Sequence, residues 1–228
     1  MIFFIKMEFE NIQRIPKKIH QIYGIFDDGL KIEDIPVFKE YSEKTKQFAK
    51  HYGYEYKLWD LKECELLLVN HFPHYIELWN DFRYPIQRAD FIRYCILFIH
   101  GGWYIDADVY PLRDLKPFHN KFQVFTTWSS DSRRLPYNAV MATTDRNPLF
   151  LKIMKLCENK TYEKQNKDIY EKWKGRLIYH TTGHYMLNSV VPKDSVYDLI
   201  EIHNPNKGIN EYNDKAYFHD ANISSWYQ

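Results

Sequence analysis

The chain has 228 residues, with 31 lysines and arginines against 30 aspartates and glutamates, so its formal net charge is +1. This length predicts a single domain over residues 1–228. Hydrophobic residues make up 45% of the chain, which excludes general intrinsic disorder. The near-neutral charge excludes a global attraction to nucleic acid or to an anionic membrane. A charged ligand must therefore be recognised locally.

The cysteine pattern and the first residues of the chain indicate in which cellular compartment the protein resides. Cys64, Cys95 and Cys157 are odd in number and lack C-x-x-C spacing, which argues against a disulfide framework and against a zinc ribbon. The apolar run at the start is interrupted by Lys6 and Glu8, far short of the ~20 residues of a membrane-spanning helix, and it does not match a secretory signal. We therefore expect a soluble cytoplasmic protein with no transmembrane segment.

Predicted strands and helices alternate along the chain. In chain order they are strand 19–25, helix 36–51, strand 54–59, helices 61–70, 73–81 and 85–100, strands 103–109, 122–128 and 138–143, helices 147–159 and 181–190, and strand 196–202. The last ten residues show no regular period. Such alternation predicts a three-layer α/β fold with a largely parallel sheet.

The helix predicted over residues 85–100 carries charge where burial is expected. It is apolar on nearly every face, yet Gln87, Asp90 and Arg93 recur at steps of three. This spacing places the three polar side chains on one stripe of the helix. A buried carboxylate and a buried guanidinium are costly unless they pair or face a polar cavity. The pattern leaves two alternatives, a structural ion pair and a functional site.

Two further carboxylates lie in the strand predicted over residues 103–109. Strand alternation puts Tyr104, Asp106 and Asp108 on one face, with the attachment points of the aspartates about 6.5 to 7 Å apart. Aspartate is a poor strand former, so this pair favours a divalent cation, Mg²⁺ or Mn²⁺, bridged to a diphosphate. The alternative is a solvated edge strand whose charges prevent aggregation.

Two segments together resemble glycosyltransferase family 32, which includes fungal initiating mannosyltransferases and capsular polysaccharide enzymes. They are IPKKIHQIYG (residues 15–24) and RADFIRYCILFIHGGWYIDADVYPL (residues 88–112). The combination of IHQ, R-x-D-x-x-R, GG and D-x-D at these spacings is specific, and the likeness continues more weakly in later blocks. It implies a GT-A fold, a Rossmann-like sandwich with a mostly parallel central sheet that binds a nucleotide-sugar at the carboxyl ends of its strands.

The resemblance also implies roles for four catalytic residues. Asp108 would bind Mn²⁺ or Mg²⁺ directly, and Asp106 would contact the ribose or a metal-bound water. Asp90 would accept hydrogen bonds from the hydroxyls of the donor sugar, with Arg93 near the sugar and phosphate oxygens. In this scheme the metal stabilises the charge that develops on the departing nucleoside diphosphate.

Residues outside the D-x-D block are implied in donor binding. Tyr23 takes the place where relatives often carry a tryptophan stacked on the nucleobase, and a core tyrosine is the competing interpretation. Asn138 and the HTTGHY stretch, with Thr182, Gly183 and His184, match blocks that flank the donor and the acceptor.

The carboxyl-terminal residues resemble a loop that closes over the donor in relatives. His219 would add a metal contact, with Ser224 or Ser225 as alternatives, and Ser225 and Trp226 would contact the nucleotide-sugar. Such a lid excludes water and so limits hydrolysis of the donor. The competing interpretation is a disordered tail.

The function implied is a metal-dependent retaining transfer of a hexose from a UDP- or GDP-linked donor to a hydroxyl of a glycan, lipid or protein. Residues 15–117 would form the half that binds the donor and the metal, and residues 118–228 the acceptor half with the lid. Two alternatives stay open. IDADV also matches the nucleophile motif of haloacid dehalogenase-type phosphatases, and a sugar-binding protein without turnover would keep the same fold.

Overall fold

A computed structural model describes residues 14–26, 29–128, 133–164, 174–204 and 208–223. Its strands are β1 (Lys18–Ile22), β2 (Glu55–Trp59), β3 (Gly102–Ile105), β4 (Val109–Pro111), β5 (Gln123–Trp128), β6 (Tyr137–Thr143), β7 (Val196–Asn204), β8 (Ile209–Glu211) and β9 (Phe218–Asp220). Its α-helices are α1 (Pro36–Tyr52), α2 (Leu61–His71), α3 (Ile76–Asp81), α4 (Pro85–His100), α5 (Pro148–Lys164), α6 (Lys174–Thr181) and α7 (His184–Leu187).

The strands form one sheet in the order β2-β1-β3-β6-β5-β7-β9-β4, with β8 paired to β7. β1 runs parallel to β2 and β3, and β7 runs parallel to β5 and β9. β6 is antiparallel to both of its neighbours, and β4 is antiparallel to β9. The predicted α/β fold is confirmed, and its sheet is mixed because β6 reverses direction between two sets of parallel strands.

The two faces of the sheet bury different cores. Along β3, Tyr104 packs into a core shared with α2, α4 and α5, whereas Trp103 and Ile105 pack into a core shared with α1. This alternation follows from the two-residue period of a strand. The sheet is therefore the middle of three layers, and β3 lies near its centre.

A glycine pair connects α4 to β3. Gly101 and Gly102 have φ angles of 60° and 88°, which L side chains rarely adopt. A Cβ on Gly102 would also lie 2.6 Å from the backbone oxygen of Lys18 in β1. The pair thus permits both the tight turn and the close approach of β3 to β1.

The strand predicted over residues 103–109 is interrupted in the structure. β3 ends at Ile105, and residues 106–109 form a turn in which the Val109 amide donates to the Asp106 carbonyl at 3.0 Å. We call residues 106–109 the D-x-D turn. After it, β4 leaves the neighbours of β3 and pairs with β9. The predicted extended spacing of Asp106 and Asp108 on one strand face was therefore wrong.

Apart from shifted ends, such as β1 ending at Ile22 rather than residue 25 and α5 at Lys164 rather than residue 159, two predicted elements differ. Of the helix predicted over residues 181–190, only Thr181, the last residue of the unpredicted α6, and the short α7 are helical. The segment predicted to lack regular structure, residues 219–228, begins inside β9, which pairs with both β4 and β7. Three residues are too few to show a strand period in the sequence.

His20 of β1 is buried in its neutral form. Its Nε2 lies 3.0 Å from the carbonyl oxygen of Gly101, and its Nδ1 accepts from Trp59 Nε1 at 3.2 Å. A second proton would put an N–H on Nδ1 against the Trp59 donor. Burial lowers the pKa of His20 from 6.5 to about 3.

This depressed pKa predicts a loss of stability in mild acid. Between pH 6.5 and about 3 the unfolded chain takes up a proton at His20 that the folded chain excludes, so the free energy of unfolding falls as the pH falls. Between pH 7 and pH 5 we expect the wild type to lose about 2 kcal/mol more than His20→Gln in urea unfolding. His74→Gln, at an exposed histidine, is the control and should follow the wild type. Equal losses in wild type and His20→Gln would contradict this account.

Candidate active site

Residues distant in the sequence surround a cavity of about 570 Å³. It lies at the carboxyl ends of β1 and β3, between α4, β6 and α6. Crevices at the carboxyl ends of strands are where open α/β sheets bind ligands. Eight of the residues singled out in the sequence line this cavity: Tyr23, Asp90, Arg93, Asp106, Asp108, Asn138, Gly183 and His184.

Arg93 connects the helix carboxylate with the D-x-D turn. Its side chain is 4% exposed, with Nη2 3.2 Å from Asp90 Oδ1 and Nη1 3.1 Å from Asp106 Oδ1. Nη1 also donates to the backbone carbonyl of Asn138 at 2.8 Å. The guanidinium carbon lies 4.6 Å from the centre of the Tyr104 ring. The ion pair is both buried and part of the cavity wall, so the two alternatives drawn from the sequence are not exclusive.

The Asp90 carboxylate is held at both oxygens. Oδ1 accepts from Asn138 Nδ2 at 2.8 Å, and Oδ2 accepts from Thr182 Oγ1 at 2.8 Å. Burial raises the pKa of Asp90 to about 6, although Arg93 and the two hydrogen bonds favour the charged form. Thr182, which directly follows α6, thus fixes the orientation of a side chain on α4.

The D-x-D turn gathers negative charge. Asp106 Oδ1 accepts from the Tyr104 hydroxyl at 2.6 Å, and Asp108 Oδ2 accepts from the Ile223 amide at 3.0 Å. Burial raises the pKa of Asp106. Burial and then the charge of Asp106 raise the pKa of Asp108 to about 6. A bound cation would relieve this repulsion.

A third carboxylate, which sequence analysis missed, lies beside the turn. Asp220 of β9 is 1% exposed and is paired with Val109 of β4. Its Oδ1 accepts from the Asn222 amide at 2.6 Å, whereas its Oδ2 accepts no hydrogen bond of normal geometry from the described residues. Burial and then the charge of Asp108 raise the pKa of Asp220 well above its ordinary range. Only the pairing of β9 with β4 reveals this neighbour.

His219 points away from these carboxylates. Successive residues of a strand face opposite sides, so His219 and Asp220 project from opposite faces of β9. His219 Nδ1 lies 2.8 Å from Glu201 Oε1, and its ring centre lies 5.2 Å from that of Tyr110. The structure therefore does not bring His219 together with the aspartates of the D-x-D turn, and Asp220 lies there instead.

Tyr23 lines the cavity just beyond β1. Its ring and that of Phe38 of α1 meet edge to face, with centroids 5.5 Å apart, and the residue is half-buried. The Tyr23 ring thus packs against an aromatic side chain of α1, and the residue also lines the cavity. Ser224, Ser225 and Trp226, predicted to form the lid, lie outside the described residues.

Comparisons with known proteins agree with this geometry. A family model described as "Glycosyltransferase sugar-binding region containing DXD motif" matches residues 17–133. The chain belongs to this glycosyltransferase family. The matched range holds Tyr23, Asp90, Arg93 and both aspartates of the D-x-D turn, and it ends before Asn138 and Asp220.

Individual relatives support the membership. A mannosyl phosphorylinositol ceramide synthase of Saccharomyces cerevisiae is 38% identical over 144 residues, which are 63% of this chain and 35% of that protein. The chain thus spans about a third of the length of this relative. An uncharacterized glycosyltransferase of Acanthamoeba polyphaga mimivirus is 29% identical over 224 residues, covering 93% of this chain and 84% of that one.

The fold is shared with a solved structure titled PaToxG Glycosyltransferase. The two superpose with a TM-score of 0.52 at 16% identity, over 77% of this chain and 68% of the other. In the described part of the chain, no helix has both the length and the hydropathy that crossing a bilayer requires.

The Arg93 network predicts that breaking this buried ion pair lowers the free energy of unfolding far more than breaking an exposed one. Arg93→Met leaves Asp90 and Asp106 without their cation, and we expect it to lower the free energy of unfolding by about 3–5 kcal/mol. Lys46→Met, which removes an exposed partner of Glu43, is the matched control and should change stability by less than about 0.5 kcal/mol. Urea unfolding at pH 7 measures both. A loss below about 1 kcal/mol for Arg93→Met would contradict the network.

Proposed function

We propose that the protein is a metal-dependent retaining glycosyltransferase that moves a hexose from a nucleoside-diphosphate sugar to an acceptor hydroxyl. The observation that carries this proposal is the position of the D-x-D turn and the Asp90–Arg93 pair on the wall of one cavity. Membership of the DXD family supports it. The same membership favours transfer over the phosphatase alternative for IDADV.

The chemistry of the carboxylates fits a divalent cation. Asp108 and Asp220 present hard oxygens near each other. Asp220 Oδ2 is buried and accepts no hydrogen bond of normal geometry from the described residues, although the Tyr137 hydroxyl favours the charged form of Asp220. No cluster of three or more His, Cys, Asp or Glu side chains in that part of the chain is arranged to hold a metal by itself. Mg²⁺ and Mn²⁺ sites commonly complete their coordination with water and substrate phosphates, so such a cluster is not needed.

In the proposed site Asp108 and Asp220 would hold the cation, and Asp106, already paired with Arg93, would contact a metal-bound water or the ribose. A bound cation would stabilise negative charge on the departing diphosphate. Asp90 accepts hydrogen bonds from donor sugar hydroxyls, and its fixed orientation selects which hydroxyls it can reach. Arg93 adds positive charge next to the donor. Since Asp90 is already held by an arginine and two hydrogen bonds, it is a poor nucleophile. This favours retention by attack of the acceptor on the face that the diphosphate leaves.

The names of relatives bear on the substrates. One relative is named as a mannosyl phosphorylinositol ceramide synthase and another, from Schizosaccharomyces pombe, as an inositol phosphoceramide mannosyltransferase. We therefore propose mannose as the first hexose to test, on GDP or UDP, with a glycan, lipid or protein hydroxyl as acceptor. Residues 15–117 would supply most of the donor side, which Asn138 and Asp220 would complete. The rest of residues 118–228 would form the acceptor side, with Ser225 and Trp226 in a lid. Three buried free thiols suit a reducing compartment and hence a cytoplasmic enzyme.

The first experiment is a donor screen. Release of nucleoside diphosphate is measured from UDP-, GDP-, ADP- and TDP-sugars with Mn²⁺, Mg²⁺ or EDTA. We expect one donor to be used, and Asp108→Asn to lower its metal-dependent turnover at least about a hundredfold while the protein stays folded. Full activity of Asp108→Asn would contradict the metal role. Sugar binding without turnover by the wild type would favour the silent binding protein.

An experiment on Mn²⁺ binding can distinguish Asp220 from His219 as the metal ligand. Asp220→Asn removes one of three mutually repelling carboxylates, so we expect the metal-free protein to become more stable and its stabilisation by Mn²⁺ to be lost. Thermal unfolding with and without Mn²⁺ measures both effects. His219→Gln, one residue away on the opposite face of β9, should keep the full Mn²⁺ response. The reverse result would restore His219 as the ligand.

Tyr23 is proposed to stack on the nucleobase. Stacking on an aromatic ring is worth ~1–3 kcal/mol per base, so Tyr23→Ala should raise the donor KM about tenfold, whereas Tyr23→Trp should keep it. The donor KM and the melting temperature are measured together. A Tyr23→Ala protein that loses stability but keeps the donor KM would assign Tyr23 to the core.

A further inference from the structure

The IHQ motif of β1 is not accounted for by the proposed function. Gln21 is completely buried, although a glutamine side chain is costly to bury unless its amide is hydrogen-bonded at both ends. It lies in β1, between β2 and β3, and β3 is the strand that leads into the D-x-D turn. The partners of its amide therefore indicate what the burial achieves.

The Gln21 amide bridges β2 and the D-x-D turn. Its Nε2 donates to the backbone carbonyl of Asp106 at 3.1 Å, and its Oε1 accepts from the Tyr56 hydroxyl at 2.9 Å. The Tyr56 oxygen lies 2.7 Å from Ser42 Oγ of α1. Four elements of the fold are thus linked by three hydrogen bonds that end on Asp106.

The direction of this chain of hydrogen bonds is fixed by its last acceptor. A backbone carbonyl can only accept, so the Gln21 NH₂ faces Asp106 and the Gln21 carbonyl faces Tyr56. The Tyr56 hydroxyl must then donate its only hydrogen to Gln21, so Ser42 is the donor in the hydrogen bond between Ser42 and Tyr56. Each group has one compatible role, so Gln21 cannot flip its amide without breaking two hydrogen bonds.

The Asp106 carbonyl that Gln21 holds is also the acceptor that closes the D-x-D turn. It accepts from the Val109 amide at 3.0 Å, while the Asp106 amide donates to Ala139 of β6 at 2.8 Å. Asp108 lies inside the turn that these backbone hydrogen bonds close, so its position depends on how the backbone of Asp106 is held. The Asp108 carboxylate in turn accepts a hydrogen bond from the Ile223 amide.

We propose that Gln21 is a positioning residue, oriented by Tyr56 and Ser42, that fixes the D-x-D turn through the backbone carbonyl of Asp106. Gln21 touches no reacting atom in this role. Its effect on metal and donor binding rests on the proposed function, whereas its effect on the turn rests on the hydrogen bonds alone. The two effects therefore need separate measurements.

The first measurement is hydrogen–deuterium exchange at the Val109 amide, read by NMR on the full chain without metal or donor. Gln21→Met keeps the length of the side chain and removes its amide, and we expect exchange at Val109 to become at least about tenfold faster. Tyr56→Phe removes only the hydroxyl that donates to Gln21 and should give a smaller increase, and Ser42→Ala one smaller still. Unchanged exchange at Val109 in both Gln21→Met and Tyr56→Phe would overturn the proposal.

Gln123 of β5 provides the matched control. Its amide also bonds at both ends, donating to Ser195 Oγ at 2.9 Å and accepting from Asn147 Nδ2 at 2.9 Å, but it does not contact the D-x-D turn. Gln123→Met should lower the melting temperature without changing exchange at Val109. If it accelerates Val109 exchange as much as Gln21→Met does, the effect is general loss of stability and the proposal fails.

The second measurement is the Mn²⁺ concentration that gives half-maximal donor turnover. We expect it to rise about tenfold in Gln21→Met and to stay at the wild-type value in Gln123→Met. If Gln21→Met accelerates exchange at Val109 but leaves the Mn²⁺ requirement unchanged, Gln21 only stabilises the turn, and its role in positioning the site is overturned. A wild type that releases no nucleoside diphosphate would refute the proposed function instead, and the exchange result would still decide whether Gln21 fixes the turn.

Discussion

The site depends on one buried guanidinium. Arg93 is the only cation between Asp90 and Asp106 in the ion pairs of the described residues, and it contacts α4, the D-x-D turn and β6 at once. A buried arginine requires acceptors for its planar fork, so the elements that supply them cannot move independently. The arrangement of α4 and the D-x-D turn thus depends on the hydrogen-bond acceptors that the Arg93 guanidinium requires.

Among the described residues, no ion pair joins Asp108 or Asp220 to a cation in the way that Arg93 is joined to Asp90 and Asp106. Asp108 and Asp220 are brought together by strand pairing, and burial raises the pKa of each. Burial and mutual repulsion therefore disfavour the charged forms of these carboxylates, and a bound cation would relieve the repulsion. In the proposed metal site, a lower stability of the metal-free protein would accompany affinity for the cation.

Much of the fold and of the site follows from sequence patterns. The boundaries of α4 were predicted without error because a proline, an apolar surface and a glycine pair mark its ends and its burial. Tyr23, Asp90, Arg93, Asp106, Asp108 and Asn138 were all predicted, and all line the cavity. The errors lie where the signal was short. The alternation of polar and apolar residues continues through the D-x-D turn, so the turn was predicted as part of a strand. β9 has only three residues, too few for its alternation to be recognised in the sequence.

By itself the sequence determined the α/β class, the family and the residues nearest the D-x-D motif, because local periodicity and motif spacing are properties of adjacent residues. Only the tertiary structure decided that Asp220 rather than His219 accompanies Asp108, and that Thr182 and Gln21 hold Asp90 and Asp106 in place. These contacts join residues 85 to 115 positions apart. Such contacts exist only once strands have paired, and pairing across this separation leaves no period in the chain.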